Sequence, residues 1–189
     1  MDWSLFRAVN TLQVHTGWAH ALFRLYAEDG VVLFALLLLA GWLVGRVCGA
    51  RAIAASISAG VAALVGLAVN QVVGHLVARA RPYATHAGVH LLVGRTSDFS
   101  FPSDHAVVAG AVGAGLLFVD RRLGLVAVLA AVVMAFARVY VGAHYPGDVV
   151  AGLAIGALVA VGLLPVAVRL LVPVLDRVAT TPLRPLVRA

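Results

Sequence analysis

Long apolar stretches, separated by short polar connections, fill the chain from residue 31 onward. None of them alternates apolar and polar side chains as a β-strand does, and their lengths suit α-helices, of which one membrane crossing needs about 20 residues. We therefore predict an all-α, polytopic membrane helix bundle. Its five predicted spans are 31–48, 52–77, 104–119, 123–140 and 147–170.

Residues 3–26 show a different pattern, because Arg, His, Asn and Gln interrupt the apolar positions. The Trp and Tyr side chains of this segment suit the boundary between lipid and water. We interpret it as an amphipathic interfacial helix, with a sixth span as the alternative. The prediction is one integral-membrane domain, 1–189, in which 1–27 form the interfacial helix or first span and 173–189 a cytoplasmic tail that is disordered or surface-lying.

The last predicted span carries Gly152, Gly156 and Ala160 at intervals of four residues. Small residues at this spacing share one helix face and let a neighbouring helix approach closely. A general abundance of Gly and Ala explains the pattern equally well, so the spacing alone leaves both interpretations open.

Composition places the chain among integral membrane proteins. Apolar residues make up 62% of the sequence and charged residues 12%, against about 45–50% and 25% in soluble domains. The formal net charge is +6, and all 14 basic residues are Arg. Arg stays protonated and binds an oxyanion through two parallel hydrogen bonds, although a GC-rich genome would give the same bias. No nucleic-acid partner is expected.

The arginines also predict the orientation of the bundle. Eight of them fall on one side of the membrane if the five spans alternate in direction: Arg46, Arg51, Arg121, Arg122, Arg169, Arg177, Arg184 and Arg188. Basic residues accumulate on the cytoplasmic side. The extracytoplasmic side then receives residues 79–103, the turn around 138–147 and the stretch 27–30.

Three polar clusters lie at span ends on this extracytoplasmic side. They read ARARPY at 78–83, FPSDH at 101–105 and ARVYVGAHYPGD at 137–148. Ionisable groups at membrane depth are costly and commonly functional. Because helix packing can bring such span ends together, we predict that the three clusters form one site.

Two histidines in these clusters are candidates for chemistry. His144 and Asp148 are four residues apart at a helix start, so the carboxylate can accept the imidazole N–H and leave the far nitrogen free as a nucleophile. His105 opens another span and is a candidate acid or base. Alone, either histidine is more often a headgroup contact, and Asp148 is equally well a charge that complements the helix dipole.

Several groups in the same clusters can bind phosphate. Arg79, Arg81 and Arg138 supply planar donors, and the backbone N–H groups near Ser103 and Asp104 add others at a helix N-terminus. Individually, arginines at span ends often only extend to the interface. Their occurrence on the same side as the two histidines indicates a phosphate site.

The three clusters resemble a known three-part signature. The R-P at 81–82, the P-S-D-H at 102–105 and the R-x5-H-x3-D at 138–148 are similar to those of the type-2 phosphatidic-acid phosphatase superfamily. The resemblance covers residues 52 to 170 and the order of the helices. Within the superfamily, the loops are most similar to the bacitracin-resistance-type undecaprenyl-diphosphate phosphatases.

The resemblance implies a mechanism. His144 would attack the terminal phosphorus and form a phosphohistidine, and Asp148 would orient it. His105 would protonate the leaving oxygen and later activate water. Three residues would hold the equatorial oxygens of the phosphate: Arg81, Ser103 and Arg138.

The sequence departs from the superfamily pattern at three positions. Gly74 stands where the signature has Lys, so Arg79 and His75 become candidate substitutes for that cation. Ala137 stands where a Ser often precedes the Arg. Asp104 replaces the commoner Gly, which the resemblance implies is a trait of diphosphate-acting members and places beside the phosphate.

Other polar residues on the same side have open roles. His86 and His90, four residues apart, are candidates to grip substrate or bind a metal, with solvent or headgroup contact as the ordinary explanation. Glu28 and Asp29 are candidates to bind a divalent cation bridging the diphosphate, against an ordinary flanking charge. The resemblance implies that no metal or other cofactor is required.

The function implied is hydrolysis of undecaprenyl, or another polyprenyl, diphosphate to the monophosphate and phosphate. This reaction recycles the lipid carrier of cell-wall synthesis at the outer face of the bacterial plasma membrane. Two alternatives stay open, a phosphatase for phosphatidic acid, phosphatidylglycerophosphate or a related lipid, and a non-enzymatic lipid-phosphate binder. The expected partners are the lipid substrate and membrane lipids, and a homo-oligomer is compatible with the sequence.

Overall fold

The computed structural model describes residues 1–189 and contains helices and irregular connections but no β-strand. Its eight α-helices are α1 (Asp2–Asn10), α2 (His20–Asp29), α3 (Val31–Cys48), α4 (Ala50–Val77), α5 (Pro82–Thr85), α6 (Asp104–Leu116), α7 (Arg121–Tyr140) and α8 (Pro146–Val178). The predicted all-α bundle is confirmed.

The five predicted spans correspond to α3, α4, α6, α7 and α8. Four of these helices are long and apolar enough to cross a membrane, whereas α6 has only 13 residues. At about 1.5 Å per residue it is roughly 20 Å long, shorter than a hydrocarbon core of about 30 Å. The helix is shorter than predicted because the chain turns from Leu117 and enters α7 beyond Asp120, whose carboxylate accepts a hydrogen bond from the Leu123 N–H.

Helix α6 occupies the centre of the bundle. It contacts α3, α4, α7 and α8, and most of its residues are buried Ala, Gly and Val. Its apolar residues show no preferred face, as expected of a helix that is surrounded by protein. Because α6 begins at Asp104, its N-terminus places the P-S-D-H cluster at the middle of one end of the bundle.

Close contact between α6 and α8 depends on glycine. A methyl group on Gly152 would lie 2.6 Å from the Ser103 carbonyl oxygen, and one on Gly156 would overlap the Val107 carbonyl. A side chain on Gly110 of α6 would likewise overlap the Leu153 carbonyl of α8. The four-residue spacing therefore reflects close helix approach rather than only a general abundance of small residues.

The N-terminal segment does not form a single helix. Helices α1 and α2 are separated by 3₁₀ turns at Thr11–His15 and Gly17–Ala19, and neither helix is long enough to cross a membrane. Helix α1 packs on α7 and α8, and α2 packs on α7. Exposed apolar side chains, including Trp18 at 82% exposure, remain on the outside. This arrangement supports the interfacial interpretation over a sixth span, and corrects the single helix to two.

The C-terminal segment is more ordered than predicted. Helix α8 continues through Pro165 and Pro173 to Val178, and the residues beyond it fold back against the opposite end of the bundle. The Trp42 indole donates to the Leu186 carbonyl at 3.1 Å, and Val187 is buried. The tail is therefore surface-lying but not disordered. It lies at the bundle end that carries the eight arginines.

Candidate active site

The other end of the bundle brings the three polar clusters together. Helix α4 ends at Val77, and the next residue, Ala78, adopts a left-handed conformation (φ 48°) that turns the chain towards the following arginines. Residues other than Gly rarely adopt this conformation, so the backbone at this turn is strained. The irregular segment 86–103 then crosses the bundle end and leads into α6, and residues 141–145 connect α7 to α8.

The clusters surround a cavity of about 360 Å³. Fourteen residues line it, and those that were predicted from the sequence to act on or near the phosphate are Glu28, Arg81, Asp104, His105, Arg138 and His144. Arg81, Arg138 and His144 are buried. The predicted convergence of the three clusters on one site is thus present in the structure.

The Nε2 atom of His144 lies between two guanidinium groups. Arg81 Nη1 and Arg138 Nη2 are each 3.2 Å from it. Planar guanidinium groups bind the oxygens of phosphate and carboxylate through paired hydrogen bonds. A phosphate held by these two arginines would therefore place its phosphorus next to Nε2, which is the arrangement that a nucleophilic histidine needs.

The opposite nitrogen of His144 has a different partner from the predicted one. Nδ1 is 2.7 Å from the Ser100 carbonyl, whereas Asp148 Oδ2 is 3.8 Å away, beyond hydrogen-bond distance. Because a carbonyl only accepts, Nδ1 carries the proton and Nε2 the lone pair. The predicted orientation of the nucleophile is therefore present, but Ser100 supplies the acceptor and Asp148 acts through the groups around it.

The Asp148 carboxylate is fully buried and accepts hydrogen bonds from three residues. They are the Arg79 guanidinium at 2.7 Å, the Tyr145 backbone N–H at 2.9 Å and the Ser100 hydroxyl. The last of these contacts ties Asp148 to the residue that holds Nδ1 of His144. Asp148 therefore positions the imidazole indirectly, through Ser100, and adds a negative charge close to it.

Arg79 was predicted to bind phosphate, and the structure places it elsewhere. Its Nη1 donates to Asp148 and its Nη2 to Asp2 of α1, both at 2.7 Å. Its guanidinium also lies 3.8 Å from the ring centre of Tyr145. Because two carboxylates and an aromatic face occupy this side chain, it does not line the cavity, and it does not replace the cation expected at Gly74.

Two further phosphate-binding predictions need correction at the atomic level. The Ser103 N–H already donates to the Asp148 carbonyl at 3.1 Å, so only its hydroxyl, which is buried, has no partner. Ser103 itself does not line the cavity. The Asp104 carboxylate accepts from the Asn70 amide at 2.6 Å and lines the cavity. Since a carboxylate repels a phosphate anion, any contribution of Asp104 to binding comes from its backbone N–H at the helix N-terminus.

His105 lines the cavity on the side facing α2. Its Nε2 is 3.5 Å from the Glu28 backbone carbonyl. The Glu28 carboxylate pairs with Arg24 at 3.2 Å, and Asp29 does not line the cavity. No group of three His, Cys, Asp or Glu side chains is placed to hold a metal ion by itself. A cation that bridges Glu28 and the diphosphate stays a prediction.

His86 and His90 do not belong to the site. The His86 ring stacks on Trp3 of α1, with ring centres 3.7 Å apart, and His90 is fixed by the Asn10 amide through its backbone. His75, the other candidate to replace the missing Lys, lines a neighbouring cavity of about 220 Å³ together with Gly74. None of these three histidines lines the cavity that contains His144.

Burial controls the protonation of His144, which lies in the connection between α7 and α8. Removal from water lowers its pKa to about 4, and the positive charges of Arg138 and Arg81 act in the same direction, against the opposing effect of Asp148. The imidazole is therefore neutral at pH 7 in the empty site. A neutral imidazole has the free lone pair that nucleophilic attack requires.

Three residues of the site were missed by the sequence analysis. Ser100 holds Nδ1 of His144, Asp98 binds Arg81, and Arg95 lines the cavity. All three lie in the irregular segment 86–103. The polar run GRTSD at 94–98, shortly before the P-S-D-H cluster, is the signal in the sequence that would have indicated Arg95 and Asp98, whereas Ser100 lies outside it.

The chain is similar to several known proteins. The profile of the PAP2 superfamily matches residues 55–170. The chain is 31% identical over 159 residues to undecaprenyl-diphosphatase BcrC of Bacillus subtilis, covering 84% of this chain and 80% of that protein. It is 36% identical over 124 residues to decaprenylphosphoryl-5-phosphoribose phosphatase of Mycobacterium tuberculosis, covering 63% and 67%.

A solved structure shares the fold. The crystal structure of the first transmembrane PAP2 type phosphatidylglycerolphosphate phosphatase from Bacillus subtilis matches with a TM-score of 0.61 at 19% identity. The match covers 89% of this chain and 87% of that one. Together with the apolar helices, this likeness identifies a multi-pass membrane fold.

Proposed function

Because the chain belongs to the PAP2 superfamily, we propose that it is a lipid phosphatase that hydrolyses undecaprenyl diphosphate, or a similar polyprenyl diphosphate, to the monophosphate and phosphate. The reaction returns the lipid carrier of cell-wall synthesis to use. One observation carries the proposal, the placement of His144 Nε2 at 3.2 Å from both Arg81 and Arg138 in a cavity large enough for a phosphate group. The similarity to undecaprenyl-diphosphatase BcrC supports the choice of substrate.

The first step is an in-line displacement at the terminal phosphorus. His144 Nε2 forms a bond to phosphorus as the bond to the bridging oxygen breaks, and the lipid monophosphate leaves. Arg81, Arg138 and the unpartnered Ser103 hydroxyl stabilise the charge on the equatorial oxygens. The product on the protein is a phosphohistidine.

The second step hydrolyses the phosphohistidine. His105 removes a proton from a water molecule, whose oxygen attacks phosphorus while the bond to Nε2 breaks. Phosphate leaves and His144 returns to its neutral form. The position of His105 on the same cavity as His144 supports this role.

Phosphate release by the purified protein in detergent tests the function. We expect release from undecaprenyl diphosphate to exceed release from phosphatidic acid and from decaprenylphosphoryl-5-phosphoribose, the substrate class named for the mycobacterial relative. His144→Ala should remove both turnover and phosphoenzyme. Turnover confined to the monoesters would overturn the proposed substrate, and phosphate binding without any turnover would indicate a lipid-phosphate binder.

The same preparation tests the cofactor prediction. We expect activity to survive chelation of divalent ions, because Arg81 and Arg138 supply positive charge beside the nucleophile. Vanadate, which mimics five-coordinate phosphorus, should inhibit. Loss of all activity in chelator, restored by added metal, would contradict this expectation.

His105 separates diphosphate from monoester substrates. The monophosphate that leaves a diphosphate has a second pKa of about 6 and needs little protonation, whereas an alkoxide leaving group needs an acid. General acid catalysis contributes about 10² to 10⁴-fold. We therefore predict that His105→Ala slows phosphoenzyme formation far more with phosphatidic acid than with undecaprenyl diphosphate, measured in a single turnover. Equal losses would exclude the leaving-group role.

The proposal places the site on the extracytoplasmic face of a bacterial plasma membrane. The eight arginines that predict the cytoplasmic side lie at the opposite end of the bundle from His144. Cys48, exposed at the end of α3, lies at that opposite end. We predict that an impermeant thiol reagent labels Cys48 only after the membrane is opened. Labelling in intact cells would invert the orientation.

A further inference from the structure

Most donors of Arg81 are already engaged within the protein. Nε donates to the Asp98 carbonyl at 3.3 Å, and Nη2 donates to Asp98 Oδ2 at 2.9 Å. Nη1 lies 3.1 Å from the Ala143 carbonyl and 3.2 Å from His144 Nε2. A guanidinium has five N–H donors, so a single one is left for a ligand.

Arg138 differs from Arg81 in this respect. Its Nε is buried without a partner, and its other contacts are the Ala27 carbonyl at 2.8 Å and His144. No carboxylate binds it. Of the two arginines that face the nucleophile, one is therefore open to a phosphate and the other is bound to an acidic side chain.

The Asp98 carboxylate is able to leave Arg81. Its side chain is 58% exposed, and it lies in the irregular segment 86–103 rather than in a helix. Asp98 lines both the phosphate cavity and the neighbouring cavity of about 220 Å³. Rotation of the carboxylate away from Arg81 therefore has space to proceed without moving a helix.

A carboxylate and one edge of a phosphate have the same hydrogen-bonding geometry towards a guanidinium. We propose that Asp98 competes with phosphate for Arg81 and thereby sets how tightly the site holds a phosphate group. The competition weakens retention of the phosphate product, because the carboxylate is always present to replace it. This inference rests on the proposed function in one respect, namely that the site binds a phosphate group.

Calorimetry with inorganic phosphate on the purified protein in detergent tests the proposal. Asp98→Asn keeps the side-chain shape and removes the charge. Since partly exposed ion pairs have modest strength, we expect the Kd for phosphate to fall about threefold to tenfold. Asp98→Glu, which keeps the charge, should stay close to the original Kd. In turnover, Asp98→Asn should lower KM and the inhibition constant of phosphate without raising kcat.

Asp29→Asn is the matched control, because it removes one exposed negative charge from the same side outside the cavity. Its phosphate Kd should not change. Unchanged or weaker phosphate binding by Asp98→Asn would overturn the proposal. Unfolding of both Asp98→Asn and Asp98→Ala would also overturn it, because the Arg81–Asp98 ion pair would then be required for folding. The measurement involves no lipid, so failure to hydrolyse undecaprenyl diphosphate would overturn only the proposed function.

Discussion

The two nitrogen atoms of His144 face regions of opposite character. On the Nδ1 side, the Ser100 carbonyl accepts a hydrogen bond from the imidazole N–H, and Asp148 accepts three hydrogen bonds. Arg79 links Asp148 to Asp2. These groups are paired with one another. Together they form a closed network that holds the imidazole but binds no ligand.

The Nε2 side is incomplete by comparison. Arg138 Nε and Ser103 Oγ are buried without partners, and Arg138 lines the cavity. Buried polar groups are almost always paired in proteins, so a concentration of unpaired ones beside a cavity marks a ligand site. The difference teaches that two arginines close together in sequence have different roles: Arg79 supports the Nδ1 side, whereas Arg81 faces Nε2. Their hydrogen-bond partners distinguish them.

Of the changes considered, loss of the Asp148 charge should disrupt the network on the Nδ1 side of His144 most. In Asp148→Asn, an amide NH₂ faces donors from Arg79, Tyr145 or Ser100, so the network cannot stay intact. We expect kcat to fall about 10²- to 10³-fold, less than the 10⁴-fold known where a carboxylate contacts the histidine directly. Single-turnover phosphoenzyme formation measures the effect. A loss below tenfold would show that Ser100 alone fixes the imidazole.

The variants Arg79→Gln and Arg81→Gln distinguish the Nδ1 side of His144 from its Nε2 side. Arg79→Gln should reduce kcat about 10- to 100-fold, as is typical for residues that support a reacting group, and leave the phosphate Kd unchanged. Arg81→Gln should weaken phosphate binding as well. Equal effects of the two variants on the phosphate Kd, measured by calorimetry, would contradict the separation.

The smallest expected effect concerns the proton on His144. A folded-state pKa of about 4 keeps the imidazole neutral above that pH, and the Ser100 carbonyl fixes the proton on Nδ1. We predict a neutral Nδ1–H signal at pH 7 that persists to about pH 5, assigned by ¹⁵N-histidine NMR against His144→Gln. Titration near the ordinary value of about 6.5 would show that the site is wetter than the structure indicates.

Much of this arrangement was predictable from the sequence because it depends on local patterns. Apolar run lengths gave the positions of α3, α4, α7 and α8, and the three polar clusters identified Arg81, Arg138, His105 and His144. The carboxylate that each arginine binds was not predictable. Arg79 and Arg81 have the same chemistry and are two residues apart, and only the left-handed turn at Ala78 and the position of α1 decide which carboxylates they meet.

The irregular segment was the other gap. Ser100 and Asp98 belong to no periodic pattern of apolar and polar residues. Nothing in residues 86–103 therefore indicates which carbonyl accepts the hydrogen bond from the His144 N–H. Likewise, the spacing of His144 and Asp148 predicts a shared helix face, but His144 precedes the first residue of α8. The displacement from the helix explains why the two side chains are 3.8 Å apart instead of hydrogen-bonded.

The glycine contacts between α6 and α8 have a consequence for how the protein responds to its lipid surroundings. Ser103 directly precedes α6, His105 lies in its first turn, and α8 follows His144. The contacts at Gly152 and Gly156 therefore fix the register of the two halves of the site. Bilayers of different thickness tilt and deform membrane helices at a modest cost per ångström. Because backbone meets backbone here, α6 and α8 should tilt as one body, and turnover should vary little between short-chain and long-chain lipid bilayers.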